Sequence, residues 1–272
     1  MDAKRGLIRH GVTLFRRSPP RVRRPIDGKP AHRPGAAIDR TTLINSGALL
    51  LVALSPRLEA VLAAVGRCGV LADICTDHAL VALAAVARGV AAQAIAVELR
   101  RPPLALASQN RARSRLEGRV LLVRGRGLAP VRRAEVVVIA GVGGDLAAQL
   151  LEAGGACAGA TRIVVQPNRH SREVRAWAKR AGFQLVEERA VAEGEQLHLV
   201  LSFEKRSGED AAYGVRPPEV ELLLGPLLLA STEAADRLFL WRELRRLRAL
   251  SGPRPDLASA RAVLEELFSA AG

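Results

Sequence analysis
From residue 69 onward the chain alternates between short apolar runs and longer amphipathic stretches. The runs 69–73, 93–98, 119–123, 135–140 and 161–165 are brief and largely apolar, the pattern of strands covered on both faces. Segments 78–88, 102–116, 144–153 and 170–181 have helical spacing and predict helices between those strands. Strand and helix in succession build a parallel sheet with helices on both sides. Two further strand-like runs, Phe183 to Arg189 and Gln196 to Phe203, flank Glu193-Gly194-Glu195. A close turn there predicts an antiparallel hairpin at the sheet edge.

The two ends of the chain read differently. Ser55-Pro56 is a helix start, with Ser55 as N-cap and Pro56 at the first helical position. Leu58, Val61, Leu62 and Val65 then share one face of a helix over 55–66. Residues 205–216 are polar, contain Gly208 and Gly214, and predict a linker. Beyond them, 218–250 and 256–270 are helical by spacing, with a break at Ser251-Gly252-Pro253-Arg254-Pro255. Leu238, Trp241, Leu244 and Leu247 form a stripe expected to pack on the neighbouring helix. Beside it run Arg237, Arg242, Arg245, Arg246 and Arg248. The expected organisation is a basic, disordered extension over 1–50, an α/β domain over 51–204, a linker over 205–216 and a helical domain over 217–272.

Composition adds a partner class. With 272 residues and 49% hydrophobic content there is ample material for one α/β core and a smaller appendage. The formal net charge of +14 favours a polyanionic partner such as nucleic acid. Residues 1–40 carry eleven Lys/Arg against three Asp/Glu, a net of +8, which leaves +6 for residues 41–272. The larger part therefore stays basic without the arm. Cys68, Cys75 and Cys157 form no CxxC pair and no even-numbered framework, which fits a reducing cytosol, and no metal site is expected. No apolar run reaches the roughly 20 residues of a membrane helix. The short run Ala48 to Leu54 continues into an amphipathic helix and is not read as a signal peptide.

The chemistry gathers at Leu71 to Leu80, where an apolar run ends in Asp73 and breaks into Cys75-Thr76-Asp77 before helical spacing resumes at His78. That is a strand, a tight turn and a helix start, the place where open α/β sheets bind ligands. A second acid, Glu98, closes the next apolar run and could accept both ribose hydroxyls of a nucleoside. Taken alone, Asp73 and Glu98 suit S-adenosylmethionine or NAD. The G-x-G-x-x-G loop that admits a pyrophosphate is missing, and Asp77 stands in the turn instead, which favours a sulfonium or ammonium cation. Ile139-Ala140-Gly141-Val142-Gly143-Gly144 closes the fourth strand, and its glycines permit close approach of a base or of the methyl donor. Gln166-Pro167-Asn168 follows the fifth strand, where a rigid turn could offer an amide to a base edge.

The order and spacing of these segments resemble the TrmK family, bacterial tRNA (adenine-N1) methyltransferases acting on adenine 22. Leu54-Ser55-Pro56-Arg57-Leu58 is similar to L-S-x-R-L, Ala72 to Ala79 to D-I-G-[ST]-D-H-A with its preceding alanine, and Ile139 to Gly144 to I-A-G-M-G-G. Gln166-Pro167-Asn168 matches outright, and Leu224-Gly225-Pro226 resembles the family's F-G-P segment. The resemblance spans about residues 54–270. It implies a class I methyltransferase (Rossmann-like) doubly wound α/β sheet with a terminal antiparallel hairpin and a small C-terminal helical domain. It also implies S-adenosylmethionine as cofactor, tRNA as partner and a cytoplasmic location.

The residues expected to hold the cofactor are Asp73, Cys75, Thr76, Glu98, Arg126, Gly141 and Gly143. Three positions depart from the family. Cys75 replaces the turn glycine, so its backbone must avoid positive φ or accept strain. Arg126, in Gly125-Arg126-Gly127-Leu128, replaces the Asp or Asn expected to hold the cofactor's adenine amino group, where a guanidinium could only stack. Leu80 and Val81 follow His78-Ala79 without the usual Tyr. Adenine N1 is a neutral lone-pair nucleophile, so alignment and electrostatics should carry the reaction. Asp77 is expected as the acid near the reaction centre, His78 as a positioning group and Asn168 as a polar contact to the extruded base. Cys75 and Arg126 also motivate a second reading, a degenerate methyltransferase fold used as a non-catalytic RNA-binding module.

Overall fold
The computed structural model describes residues 52–155, 159–250 and 255–269. The basic extension over 1–50, Cys157 and the break at Ser251 to Arg254 lie outside the described residues.

Helix α1 (Pro56–Val65) leads into five strands, each but the third followed by a helix: β1 (Cys68–Ile74), α2 (Leu80–Ala87), β2 (Ala91–Glu98), α3 (Arg101–Ser114), β3 (Val120–Arg124), β4 (Val136–Val142), α4 (Gly144–Ala153), β5 (Arg162–Pro167) and α5 (Ser171–Arg180). The hairpin strands β6 (Phe183–Glu193) and β7 (Gln196–Lys205) follow. Four helices end the chain, α6 (Pro218–Leu224), α7 (Pro226–Ala230), α8 (Ala234–Arg248) and α9 (Pro255–Ser269). The seven strands form one sheet in the order β3-β2-β1-β4-β5-β7-β6. Strands β1 to β5 are mutually parallel, whereas β7 runs antiparallel to both β5 and β6. The hairpin expected at the edge is present, with β7 inserted between β5 and β6.

Period-two alternation feeds two hydrophobic layers. Ala72, Ile74, Val137, Ile139, Ile163 and Val165 face the layer under α4, α5 and the C-terminal helices. Leu71, Ala96, Val136, Val138 and Val164 face the layer under α1 and α2. Helix α2 is apolar on every side and is buried between α1, α3 and the sheet, as such a helix must be.

The C-terminal helices share the first layer with the sheet: Val220, Leu224, Leu228, Leu240, Leu244 and Leu264 join the cluster that holds Trp177, Phe183 and Leu185. Beneath them sits a fully buried ion pair. Arg175 of α5 donates from Nε to Glu188 Oε1 of β6 at 2.7 Å, and its Nη1 donates to Ser171 Oγ and to the Leu222 and Leu223 carbonyls. Burial pushes the Glu188 carboxyl up, against the pull of Arg175 and the nearby backbone N–H groups.

The single helical stretch expected over 218–250 is broken twice. Gly225 takes φ +98°, and a side chain there would strike Glu188 and Arg175. Pro226 follows, and it cannot supply the N–H that would continue α6. The second break, at Ser231 to Glu233, is fixed by Asp236, which accepts hydrogen bonds from Ser231 Oγ at 2.6 Å and Ala190 N at 2.5 Å. The stripe of α8 is also displaced from the expected one. Leu240, Leu244 and Leu247 are buried, while Leu238 and Trp241 are exposed, with the Arg245 guanidinium 4.9 Å from the Trp241 ring centre.

Candidate active site
The C-terminal ends of β1, β2, β4 and β5 converge at the switch point where strand order reverses about β1. Ile74 pairs with Val97 on one side and Ile139 on the other, so the residues that follow each of them come together. They are Cys75 to Asp77, Glu98, and Ala140 to Val142.

The turn after β1 is the most constrained backbone in the site. Cys75, Asp77 and Ala79 all have φ between 51° and 60°, the left-handed region that non-glycine residues occupy at a cost of about 1–2 kcal/mol each. Cys75 therefore takes the glycine-like conformation rather than avoiding it. Asp73 pins this turn. Its Oδ2 accepts Thr76 Oγ1–H at 2.5 Å and Ala82 N–H of the first turn of α2 at 3.3 Å. The carboxyl is only 3% exposed, and burial pushes it up to about 6 despite these two bonds. Burial, with Glu98 and Asp73 nearby, also pushes the Cys75 thiol up to about 11, so it stays protonated and unreactive. His78 lies before α2 rather than opening it as expected. Its Nε2 is 3.7 Å from Asp77 Oδ2, and its carbonyl accepts Asn110 Nδ2–H.

Glu98 is buried and doubly engaged. Its Oε2 accepts Asp77 N–H at 3.2 Å, and its Oε1 accepts Arg100 N–H at 2.9 Å. Arg100, which no sequence motif marks, reaches back over both acids: Nε lies 3.3 Å from Glu98 and Nη2 3.6 Å from Asp77. Its side chain is 68% exposed, so these contacts are weak and open to exchange. The loop after β3 is tied to the same place by Gly125 N donating to Glu98 O at 3.1 Å. Arg126 projects from that loop exposed, with no side-chain hydrogen bond or ion pair among the described residues.

Across the crevice, β4 carries a bulge at Gly141, where φ is +78° and the register to β5 shifts. Both polar groups of Gly141 are held by side chains of the Gln166-Pro167-Asn168 turn. Gln166 Oε1 accepts Gly141 N–H at 3.1 Å, and Asn168 Nδ2 donates to Gly141 O at 2.8 Å. Gln166 Nε2 donates to Asn168 Oδ1 at 3.2 Å, closing a ring of bonds. Arg57 completes it, donating from Nη1 to Gln166 Oε1 at 2.7 Å. The Leu54 to Leu58 motif signalled Arg57, but only the fold reveals its place. Gly144 is needed for packing, since a Cβ would lie 2.0 Å from the His170 carbonyl oxygen. Gly143 has room for a side chain as far as the protein itself is concerned.

Arg57, Gly141 and Asn168 line a polar cleft of about 650 Å³, closed by Glu193, His198 and Arg242. Burial and the Arg57 charge hold His198 below its ordinary range, so this imidazole is neutral near pH 7. Among the described residues, no group of three or more His, Cys, Asp or Glu could hold a metal, and no helix is long and apolar enough to cross a membrane.

Comparison with known proteins agrees with this fold. Residues 54–201 match a family model described as a methyltransferase domain. The tRNA (adenine(22)-N(1))-methyltransferase of Bacillus subtilis (strain 168) is 33% identical over 184 residues, 66% of this chain and 77% of that one. The crystal structure of the B. subtilis m1A22 tRNA methyltransferase TrmK superposes with a TM-score of 0.69 at 28% identity, covering 79% of this chain and 99% of that chain. The Streptococcus pneumoniae protein Sp1610 in complex with S-adenosyl-L-methionine gives 0.72 at 27% identity, covering 79% and 100%. The chain belongs to the TrmK family of class I methyltransferases.

Proposed function
We propose that this protein transfers a methyl group from S-adenosylmethionine to N1 of adenine 22 in tRNA. The observation that carries the cofactor assignment is the convergence of Asp73, Asp77 and Glu98 at the switch point, with Thr76 bonded to Asp73 and the Asp77 N–H bonded to Glu98. A dinucleotide site needs backbone N–H groups aimed at a pyrophosphate. Here the Asp77 N–H is given to Glu98, and three carboxylates repel a phosphate while favouring a cation. The residues fit the cofactor. Both bonds to Asp73 fall on Oδ2, which leaves Oδ1 for an ammonium group, and Glu98 can exchange its exposed Arg100 for a ribose diol. Thr76 and Cys75 shape the turn below it, and Gly141 and Gly143 present bare backbone. Arg126 stands beside the adenine end and offers a stacking plane.

When bound, S-adenosylmethionine supplies an electrophilic methyl group on a sulfonium. The protein's part is alignment and charge. Adenine in folded RNA is stacked or paired, so it must be extruded, and the polar cleft beside Gly141 is the space open to it. Asn168, fixed through Gln166 and Arg57, offers its amide edge to the base. Asp77, half-exposed with His78 Nε2 3.7 Å away, sits as the acid that favours the cation formed on adenine. Exposed Arg242, Arg245, Arg246 and Arg248 on α8 meet tRNA phosphates, giving salt-dependent affinity in the cytoplasm. The experiment uses labelled cofactor and unmodified bacterial tRNA. Label should enter wild-type tRNA and not tRNA substituted at adenine 22. A folded protein that transfers nothing at low salt contradicts the reading, and no binding of S-adenosylmethionine at millimolar concentration favours an RNA-binding module. Asp77→Ala should cut turnover far more than tRNA affinity; equal loss of both makes it structural.

A further inference from the structure
A second cleft begins on the other side of Asn168. It has a volume of about 340 Å³ and lies between the start of α5, strand β7 and the helices α6 and α8. Its floor is apolar, built from Pro167, Leu197, Leu199, Leu223 and the half-buried ring of Phe239. Its rim is basic. Arg169 and Arg172 stand exposed there and make no side-chain hydrogen bond or ion pair among the described residues. The rim's one acid, Glu243, is already held by Arg246 at 2.7 and 2.9 Å. An apolar floor with an aromatic ring, under exposed guanidinium groups, is the chemistry that receives one unstacked base and its flanking phosphates. An acidic peptide would find the charge but no use for the ring.

We infer that this cleft is a nucleotide subsite, holding the base next to the methylated adenine in the RNA chain. The inference rests on the tRNA reading above and deepens it. Asn168 links the two clefts, since it lines both and is bonded to Gly141. An adenine drawn toward Gly141 pulls its neighbour in the chain out of the stack, and the nearest apolar shelter is the floor at Phe239. The subsite therefore helps hold the RNA open while the target is aligned.

The test couples a protein change to an RNA change, using the full chain and unmodified tRNA transcripts. Phe239→Leu keeps apolar volume without the π face, and Phe239→Ala removes both. Each should weaken tRNA binding roughly tenfold and leave the affinity for S-adenosylmethionine unchanged. Removing the base at position 21 or at position 23 of the tRNA should weaken binding to the parent protein by a similar factor at one of the two positions. In the Phe239 variants that same removal should cost nothing further, the signature of two groups in one contact. Arg169→Ala and Arg172→Ala should each lower the salt slope of binding by about one. Additive losses at both positions, or undiminished affinity in both Phe239 variants, overturn the subsite. Methylation is read in parallel. Normal transfer to adenine 22 without coupling removes the subsite and leaves the function; coupling without transfer does the reverse.

Discussion

Asp73 is a buried carboxylate that the fold would be better off without. Its two hydrogen bonds both end on Oδ2, so Asp73→Asn can keep them with its amide oxygen and remove the charge. Burial raises the carboxyl from its ordinary 3.8 to about 6, a difference of about 3 kcal/mol between holding the ionised form in water and in the fold. The sign follows from where the proton is held more tightly. The folded state has the higher pKa, so stability from this group is full below about pH 4, falls as pH rises toward 6 and is level above that. The variant lacks this dependence. Urea melts at fixed pH values between 4 and 8 should show Asp73→Asn matching the parent near pH 4 and exceeding it by about 2–3 kcal/mol by pH 7.5, with unchanged m values. Charges common to both proteins cancel in the difference. A difference that is flat with pH, or that falls, refutes the reasoning. Calorimetry completes the case: affinity for S-adenosylmethionine should fall at least tenfold in the variant. In the parent it should weaken below about pH 6, where Asp73 takes up its proton. A variant both more stable and fully able to bind would leave the carboxylate without a reason.

Other outcomes follow from the same geometry. Glycine at position 75 should be more stable than alanine there by about 1 kcal/mol, because both lose the thiol but only glycine relaxes φ 58°; denaturant midpoints of Cys75→Gly and Cys75→Ala check it. Arg175→Met should cost about 3–5 kcal/mol by stranding Glu188 in the core, and Arg175→Met with Glu188→Leu should recover much of that loss in the same melts. On the proposed cofactor placement Arg126→Asp supplies an acceptor for the adenine amino group and should tighten S-adenosylmethionine binding roughly fivefold, measured by calorimetry.

Much of the sheet was legible because its strands carry their own signal. Val136 to Ile139 and Ile163 to Val165 are buried on both faces, and a run of that kind fits few other places in a fold. The acids Asp73 and Glu98 were legible for the opposite reason, since a carboxylate closing an apolar run demands an explanation. What stayed hidden depends on partners far away in sequence. Nothing near Gly225 announces that Arg175 and Glu188 fill the space a side chain would need. Arg57 meets Gln166 across more than a hundred residues, and Arg100 turns back over two acids through a path that spacing does not encode. In α8 spacing points to Leu238, Trp241, Leu244 and Leu247, but the docking of the helix on β6 buries Leu240 in place of Leu238 and Trp241. The turn at Cys75 shows how far local preference can be overridden. Hydrogen bonds from Thr76 and Ala82 to one buried carboxylate hold three residues in a conformation their side chains disfavour.

The central claim is that this crevice, with Cys75 and Arg126 in it, methylates N1 of one adenine. N1 lies on the Watson–Crick edge, so a methyl group there blocks pairing during reverse transcription. Unmodified tRNA incubated with the protein and S-adenosylmethionine should give a primer-extension stop one nucleotide before position 22, absent without cofactor. Full read-through at that position, or a stop at a different one, would contradict the account.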